Sequence, residues 1–212
     1  KGGQSNPTYK LVTPARSYVM RAKPGPVAKL LPSAHAVERE FAVMRGLHGT
    51  DVPVPQMYCL CEDEAVIGRA FYIMEFMQGR VLWDQSLPGM SNAERGAIYN
   101  EMNRVISALH SVKFADRGLS SYGKPGNYFE RQIGRWSKQY VASITQPIAE
   151  MDELMAWLPA HIPADARDES RVSIVHGDYR LDNLMFHATE PRVIAVLDWE
   201  LQVLASPCLV AL

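Results

Sequence analysis

The chain has 212 residues, of which 47% are hydrophobic and 21% charged, with a formal net charge of -1. That length can bury a sizeable core, as one domain or as two lobes sharing a cleft, and the near-neutral balance of scattered charges argues against nucleic acid as a partner. No run approaches the roughly 18 apolar residues of a membrane span, no signal-peptide pattern opens the sequence, and Cys59, Cys61 and Cys208 make no disulfide framework, so reduced thiols in a cytoplasmic protein are expected.

Residues 8–23 read as a hairpin: Thr8 to Thr13, a Pro-Ala turn, then Ser17 to Lys23. Strand alternation sets Val19, Arg21 and Lys23 on one face and Tyr18, Met20 and Ala22 on the other. A helix is expected from near Ser33 to Leu47, carrying Glu38, Glu40 and Met44, followed by a loop with Pro53 and Pro55. Strands are expected around Gln56–Cys61 and Ala70–Phe76, the second a continuous apolar run that suits a buried strand. Cys59 and Cys61 then share one strand face, a simpler reading than a metal pair. Gln78-Gly79 breaks the pattern.

From Ser91 the period becomes helical. Ser91 and Glu94 form a capping box, and Ile98, Met102, Val105, Ile106 and Leu109 fall on one stripe of a helix ending near His110, where a partly positive imidazole would suit the dipole. Further helices are expected over Tyr128–Ser143 and Pro147–Leu158, with Pro147 in a first turn. Polar loop follows from Pro163, then a short strand over Val172–Val175. The four tryptophans read as packing residues, and His35 and His48 as surface residues.

That last strand leads into His176-Gly-Asp-Tyr-Arg-Leu-Asp-Asn183, and a second apolar run ends at Leu197-Asp-Trp-Glu200. His176, Asp178 and Asn183 have the H-x-D-x-x-x-x-N spacing of a kinase catalytic loop, with Asp198 downstream. Phosphoryl transfer requires a carboxylate to orient the accepting hydroxyl and oxygen ligands to hold magnesium on the nucleotide phosphates. Polar side chains at the ends of buried strands are costly unless they serve a site. His176 is read as a structural residue that orients the loop, and Asp182 and Arg180 as local stabilisers of it.

These motifs resemble the aminoglycoside phosphotransferase family of the protein-kinase-like fold, and in particular its branch fused to acyl-CoA dehydrogenases. Weaker matches run through Gly3 to Asn6, Val19 to Arg21, Leu30 to His35, Glu38 to Phe41, Val52 to Pro55 and Tyr72 to Phe76. The resemblance implies an α+β, bilobal fold. A nucleotide-binding lobe over residues 1–78 would have a small antiparallel sheet and one helix, and a mainly helical lobe over residues 79–212 would carry the catalytic loop. It implies Asp178 as the catalytic carboxylate and Asn183 and Asp198 as magnesium ligands. Gly2, Gly3, Ser5 and Asn6 match the loop over the phosphates, and Glu75, Phe76 and Met77 the hinge beside adenine. Arg21 matches the basic residue that reaches the phosphates, with Lys23 in reserve, and Glu40 the carboxylate that fixes it, with Glu38 as the neighbouring choice.

The function implied is an ATP- and magnesium-dependent kinase acting on a small-molecule hydroxyl, a hydroxylated acyl-CoA-type metabolite or else an aminoglycoside. A fused or adjacent acyl-CoA dehydrogenase domain is the expected partner in a longer chain. The sequence departs from the family pattern at both ends and reads as truncated there, which keeps a nucleotide-binding or interaction module without turnover as an alternative. A metal hydrolase built on His176 and Asp178 is a third reading, without the clustered histidines such a site uses.

Overall fold

The computed structural model describes residues 6–24, 36–120, 122–123 and 127–205. A four-stranded antiparallel sheet comes first: β1 (Thr8–Val12), β2 (Ser17–Ala22), β3 (Met57–Cys61) and β4 (Phe71–Glu75), in spatial order β1-β2-β4-β3. Thr13 closes the β1–β2 turn, its hydroxyl donating to the Arg16 carbonyl at 2.8 Å and accepting the Arg16 amide at 3.2 Å. β4 has strand partners on both edges and is largely buried, so its sequence is an apolar run rather than an alternation. Arg21 on β2 stands directly opposite Tyr72 on β4.

Helix α1 (Val37–Leu47) packs on β3 and β4, burying Val37, Phe41, Val43, Met44 and Leu47 together with one charged residue, Glu40. Ser33, where this helix was expected to start, lies outside the described residues. A four-residue helix, α2 (Glu64–Ile67), fills the β3–β4 connection under an Asp63 cap; it is too short to show a period in sequence. The chain then crosses as β5 (Arg80–Val81) into a second sheet, ordered β5-β7-β8 with β7 (Leu184–Phe186) and β8 (Val193–Val196). At the crossing, a Cβ placed on Gly79 would lie 2.4 Å from the Phe186 carbonyl oxygen, so only glycine lets the backbones approach this closely.

Helix α3 (Asn92–Ser111) opens with the expected capping box and buries Ile98, Val105 and Leu109. His110 in its last turn departs from the expected partly positive state: burial lowers its pKa and its Nε2 is buried without a hydrogen-bond partner among the described residues, which favours the neutral ring. Helices α4 (Tyr128–Ser143) and α5 (Ala149–Trp157) follow. Pro147 precedes the Ile148 N-cap, two residues before the first turn in which it was expected. The tryptophans also divide. Trp199 is fully buried, whereas Trp83, Trp136 and Trp157 are 65%, 56% and 52% exposed. For two of them the reason is the helices that carry them: α4 and α5 bury none of their described residues, and Trp157 stacks on His161 instead.

The polar stretch after Pro163 forms two 3₁₀ turns, Ala164–Arg167 and Glu169–Arg171. Strand β6 (Ser173–Val175) then pairs with β9 (Val203–Ala205), a strand the sequence reading did not anticipate. One continuous apolar cluster joins the first sheet to the rest, running from Phe41, Leu47 and Tyr72 through Ile98, Leu109, Ile174 and Phe186 to Trp199 and Leu204. The molecule is thus α+β: an antiparallel sheet with a helix, then a mainly helical region.

Candidate active site

The site grows from the exits of β6 and β8. β6 delivers His176, which is fully buried among Trp199 and Tyr179. Its Nε2 lies 2.8 Å from the Leu197 carbonyl, which can only accept, and its Nδ1 receives the Asp178 amide at 3.3 Å. One nitrogen donates and the other accepts, so the ring is neutral, and burial pushes its pKa below the ordinary value. Gly177 between them has φ of 86°, and a Cβ there would sit 2.3 Å from the Leu201 carbonyl oxygen. The loop can take this path only with glycine at 177.

Asp178 follows, half-buried. Asn183 donates its side-chain amide to Asp178 Oδ2 at 2.9 Å and to the Asp178 carbonyl at 2.8 Å. Asp178 Oδ1 has no hydrogen-bond partner among the described residues, and the Asn183 amide oxygen is likewise uncommitted. Leu197 joins the two loops, since its amide donates to the Asn183 carbonyl at 2.9 Å while its carbonyl takes the His176 ring. The next residue, Asp198, has φ of 60° and ψ of 65°. A non-glycine residue held in the left-handed region is uncommon and costs about 1–3 kcal/mol, a strain that clusters at functional sites. Arg180 and Asp182 pair at 2.6 Å, and Gln85 adds a hydrogen bond to Asp182 at 3.2 Å, so both are committed to holding the loop. Tyr179 ties it to α3 through the Met102 carbonyl at 2.9 Å.

Arg21 reaches this cluster from the first sheet. Its Nη2 donates to Asp198 Oδ1 at 2.8 Å, its Nε faces Glu40 Oε2 at 3.2 Å as an ion pair without hydrogen-bond alignment, and Glu200 lies 3.9 Å away. Burial works against the guanidinium charge, but Glu40, Tyr72 and Asp198 together outweigh it and keep the group charged. Burial likewise pushes the Glu40 carboxyl up, against the pull of Arg21, Tyr72 and Asn6. Lys23, one residue past β2, and Glu38 on α1 form a separate, more exposed pair. Both alternatives left by the sequence are thereby real ion pairs, and only Arg21–Glu40 connects to Asp198.

The remaining expected residues fall in several places. Gly2, Gly3 and Ser5 lie outside the described residues. Asn6 is 4% exposed, with its amide nitrogen on Glu40 Oε1 at 2.7 Å. Glu75 ends β4 and exchanges bonds with Gln56: its amide donates to the Gln56 carbonyl at 2.9 Å, and its carboxylate accepts the Gln56 amide at 3.2 Å. Phe76 and Met77 lie past the last ladder pair of β4, Tyr18 with Glu75, and Lys10 stands 4.0 Å over the Phe76 ring. Two participants were missed. Tyr72 donates its hydroxyl to Glu40 Oε2 at 3.0 Å, although its place in an apolar run reads only as packing. Glu200 could have been noticed from its position two residues beyond Asp198.

The profile of the Phosphotransferase enzyme family matches residues 1–208. Mouse Acyl-CoA dehydrogenase family member 10 is 48% identical over 205 residues, covering 97% of this chain and 19% of that protein. The chain therefore spans about a fifth of that relative's length. A Ralstonia eutropha crystal structure, provisionally assigned as an aminoglycoside phosphotransferase, superposes with a TM-score of 0.87 at 67% identity, covering 97% of this chain and 59% of the other. Aminoglycoside phosphotransferase APH(4)-Ia, solved in ternary complex with AMP-PNP and hygromycin B, shares the fold with a TM-score of 0.65 at 19% identity, covering 98% of this chain and 67% of the other.

Proposed function

This chain belongs to the phosphotransferase enzyme family, and from that premise we propose that it moves the γ-phosphoryl group of ATP to a hydroxyl of a small molecule. The observation that carries the proposal is the Arg21 fork, which links Glu40 on α1 to Asp198 beside the Asp178–Asn183 pair. A fixed cation thereby stands next to the carboxylate where a nucleotide's phosphates would be neutralised.

The roles follow from the free atoms. Asp178 Oδ2 is steadied by Asn183, and its open Oδ1 accepts a hydrogen bond from the acceptor hydroxyl and takes up that proton. The hydroxyl oxygen forms its bond to the γ-phosphorus as the bond to the bridging oxygen breaks, and ADP leaves with that electron pair. With its Nε and Nη2 turned to Glu40 and Asp198, Arg21 presents the guanidinium charge to the phosphates. The donor set fits magnesium: the Asn183 amide oxygen and the Asp198 carboxylate are hard ligands. Among the described residues no group of three His, Cys, Asp or Glu side chains could hold an ion alone, which suits a cation that shares its shell with water and phosphate. When bound, that ion supplies charge neutralisation to the phosphates.

For the acceptor, we favour a hydroxylated acyl-CoA-type metabolite over an aminoglycoside. Support comes from the mouse relative's name as an acyl-CoA dehydrogenase family member, and a net charge of -1 offers no acidic surplus for a polycation. A dehydrogenase domain in the same longer chain is the partner this reading expects. The Asp178→Asn chain should bind nucleotide as the parent does and lose about 10²- to 10⁴-fold in phosphoryl transfer. Full turnover in that variant would refute the role of Asp178, and no nucleotide consumption by the parent over a panel of hydroxylated acyl-CoAs and aminoglycosides would favour a binding module.

A further inference from the structure

We propose that Asn6 is a positioning residue for Arg21, acting through Glu40; the proposal rests on the phosphotransferase reading above. A buried carboxylate is held in place only while both its oxygens have donors. At Glu40 those donors are divided. Oε2 takes the Tyr72 hydroxyl at 3.0 Å and faces Arg21, whereas Oε1 has Asn6 Nδ2 at 2.7 Å as its hydrogen-bond donor. The amide cannot be turned over, because its oxygen would then meet a carboxylate oxygen. The nitrogen that would touch a phosphate is therefore already committed to Glu40.

Asn6 is built to hold that carboxylate. It is 4% exposed, Thr8 donates its hydroxyl to the Asn6 carbonyl at 3.2 Å, and the adjacent Pro7 carbonyl accepts the Ala22 amide at 3.0 Å. The backbone of Asn6 and Pro7 is thus tied to the hairpin that carries Arg21, while the Asn6 side chain grips α1. Among the described residues its own Oδ1 is buried with no hydrogen-bond partner. With Asn6 shortened, Oε1 loses its donor and the Glu40 carboxylate is held from its Oε2 side alone, by Tyr72 and Arg21, so it can tilt and loosen its place opposite Arg21 Nε.

The test is a double-mutant cycle on ADP affinity, measured by calorimetry in the full chain with Asn6→Ala, Arg21→Met and the double variant. Asn6→Ala should weaken ADP binding about tenfold when Arg21 is present and change it little in the Arg21→Met background. The Arg21 Nε–H resonance, identified by its loss in Arg21→Met, should shift and exchange faster with water in Asn6→Ala. Equal losses in both backgrounds would overturn the proposal alone. Unchanged ADP affinity in Arg21→Met would overturn the phosphate role of Arg21, and the proposal with it. Should Asn6→Ala not fold, Asn6→Asp keeps the shape, replaces the donor by an acceptor, and runs the same cycle.

Discussion

His176 shows how far single residues could be read. Its spacing to Asp178 and Asn183 is visible in the sequence, and so is its structural role, because a lone histidine in a buried turn is better suited to holding backbone than to moving protons. The atoms it holds were not visible: the Leu197 carbonyl is 21 residues away, and only the fold brings it to Nε2. The same limit hid Tyr72 and the grip of Asn6 on Glu40, which join residues 32 and 34 positions apart. The neutral, buried ring has a consequence for acid stability. Its folded pKa lies below 6.5, so the unfolded state takes up the proton first as pH falls. Stability contributed by this ring is fully present above about pH 6.5 and is lost below it, by up to about 1.4 kcal/mol per pH unit until the folded group itself titrates. Half-buried His110 acts in the same direction. Urea unfolding at pH 7.5 and 5.5 should show the lower stability at pH 5.5, and His176→Gln should flatten that difference. A slope unaltered in His176→Gln would assign it to other groups.

Elements were legible wherever a local rule decided them. The capping box of α3 is such a rule: the Ser91 amide donates to Glu94 Oε2 at 2.8 Å, and the Ser91 hydroxyl accepts the Glu94 amide at 3.3 Å. Ser91→Ala should cost about 0.5–2 kcal/mol, read as a lower urea midpoint, and Ser91→Asp should recover most of it. An unchanged midpoint in Ser91→Ala would show that packing of Ile98, Val105 and Leu109 alone fixes the helix start. Elements decided by partners were not legible. β9 has three residues and exists because β6 lies beside it. Helical periodicity announced α4 and α5, but periodicity says nothing of what lies opposite the apolar face, and so Trp136 and Trp157 were misjudged.

At the scale of the molecule, the apolar cluster that runs from Phe41 to Leu204 and the Arg21 fork make the same connection, one through packing and the other through charge. Its general layout could be anticipated from the order of strands and helices, because few arrangements bury a sheet face and a helix stripe together. What the order could not supply is that Arg21 already contacts Asp198 at 2.8 Å. A nucleotide that takes its phosphates to this place should stabilise the chain by mass action, about 2.7 kcal/mol at a hundredfold excess over its Kd. Thermal melts with ADP and magnesium should show that gain, and EDTA should reduce it. A shift indifferent to EDTA would argue that the bound phosphates need only Arg21.

The crossing at Gly79 bears on how this protein can be diversified. The position is exposed, and exposed loop positions are ordinarily where libraries are randomised and insertions placed. Here the space a methyl group would enter is already taken by the Phe186 carbonyl, 2.4 Å from an ideal Cβ. A saturation library over residues 78 and 79 should therefore return many residues at the first and glycine alone at the second, so surface accessibility is the wrong criterion for choosing mutable sites in this chain.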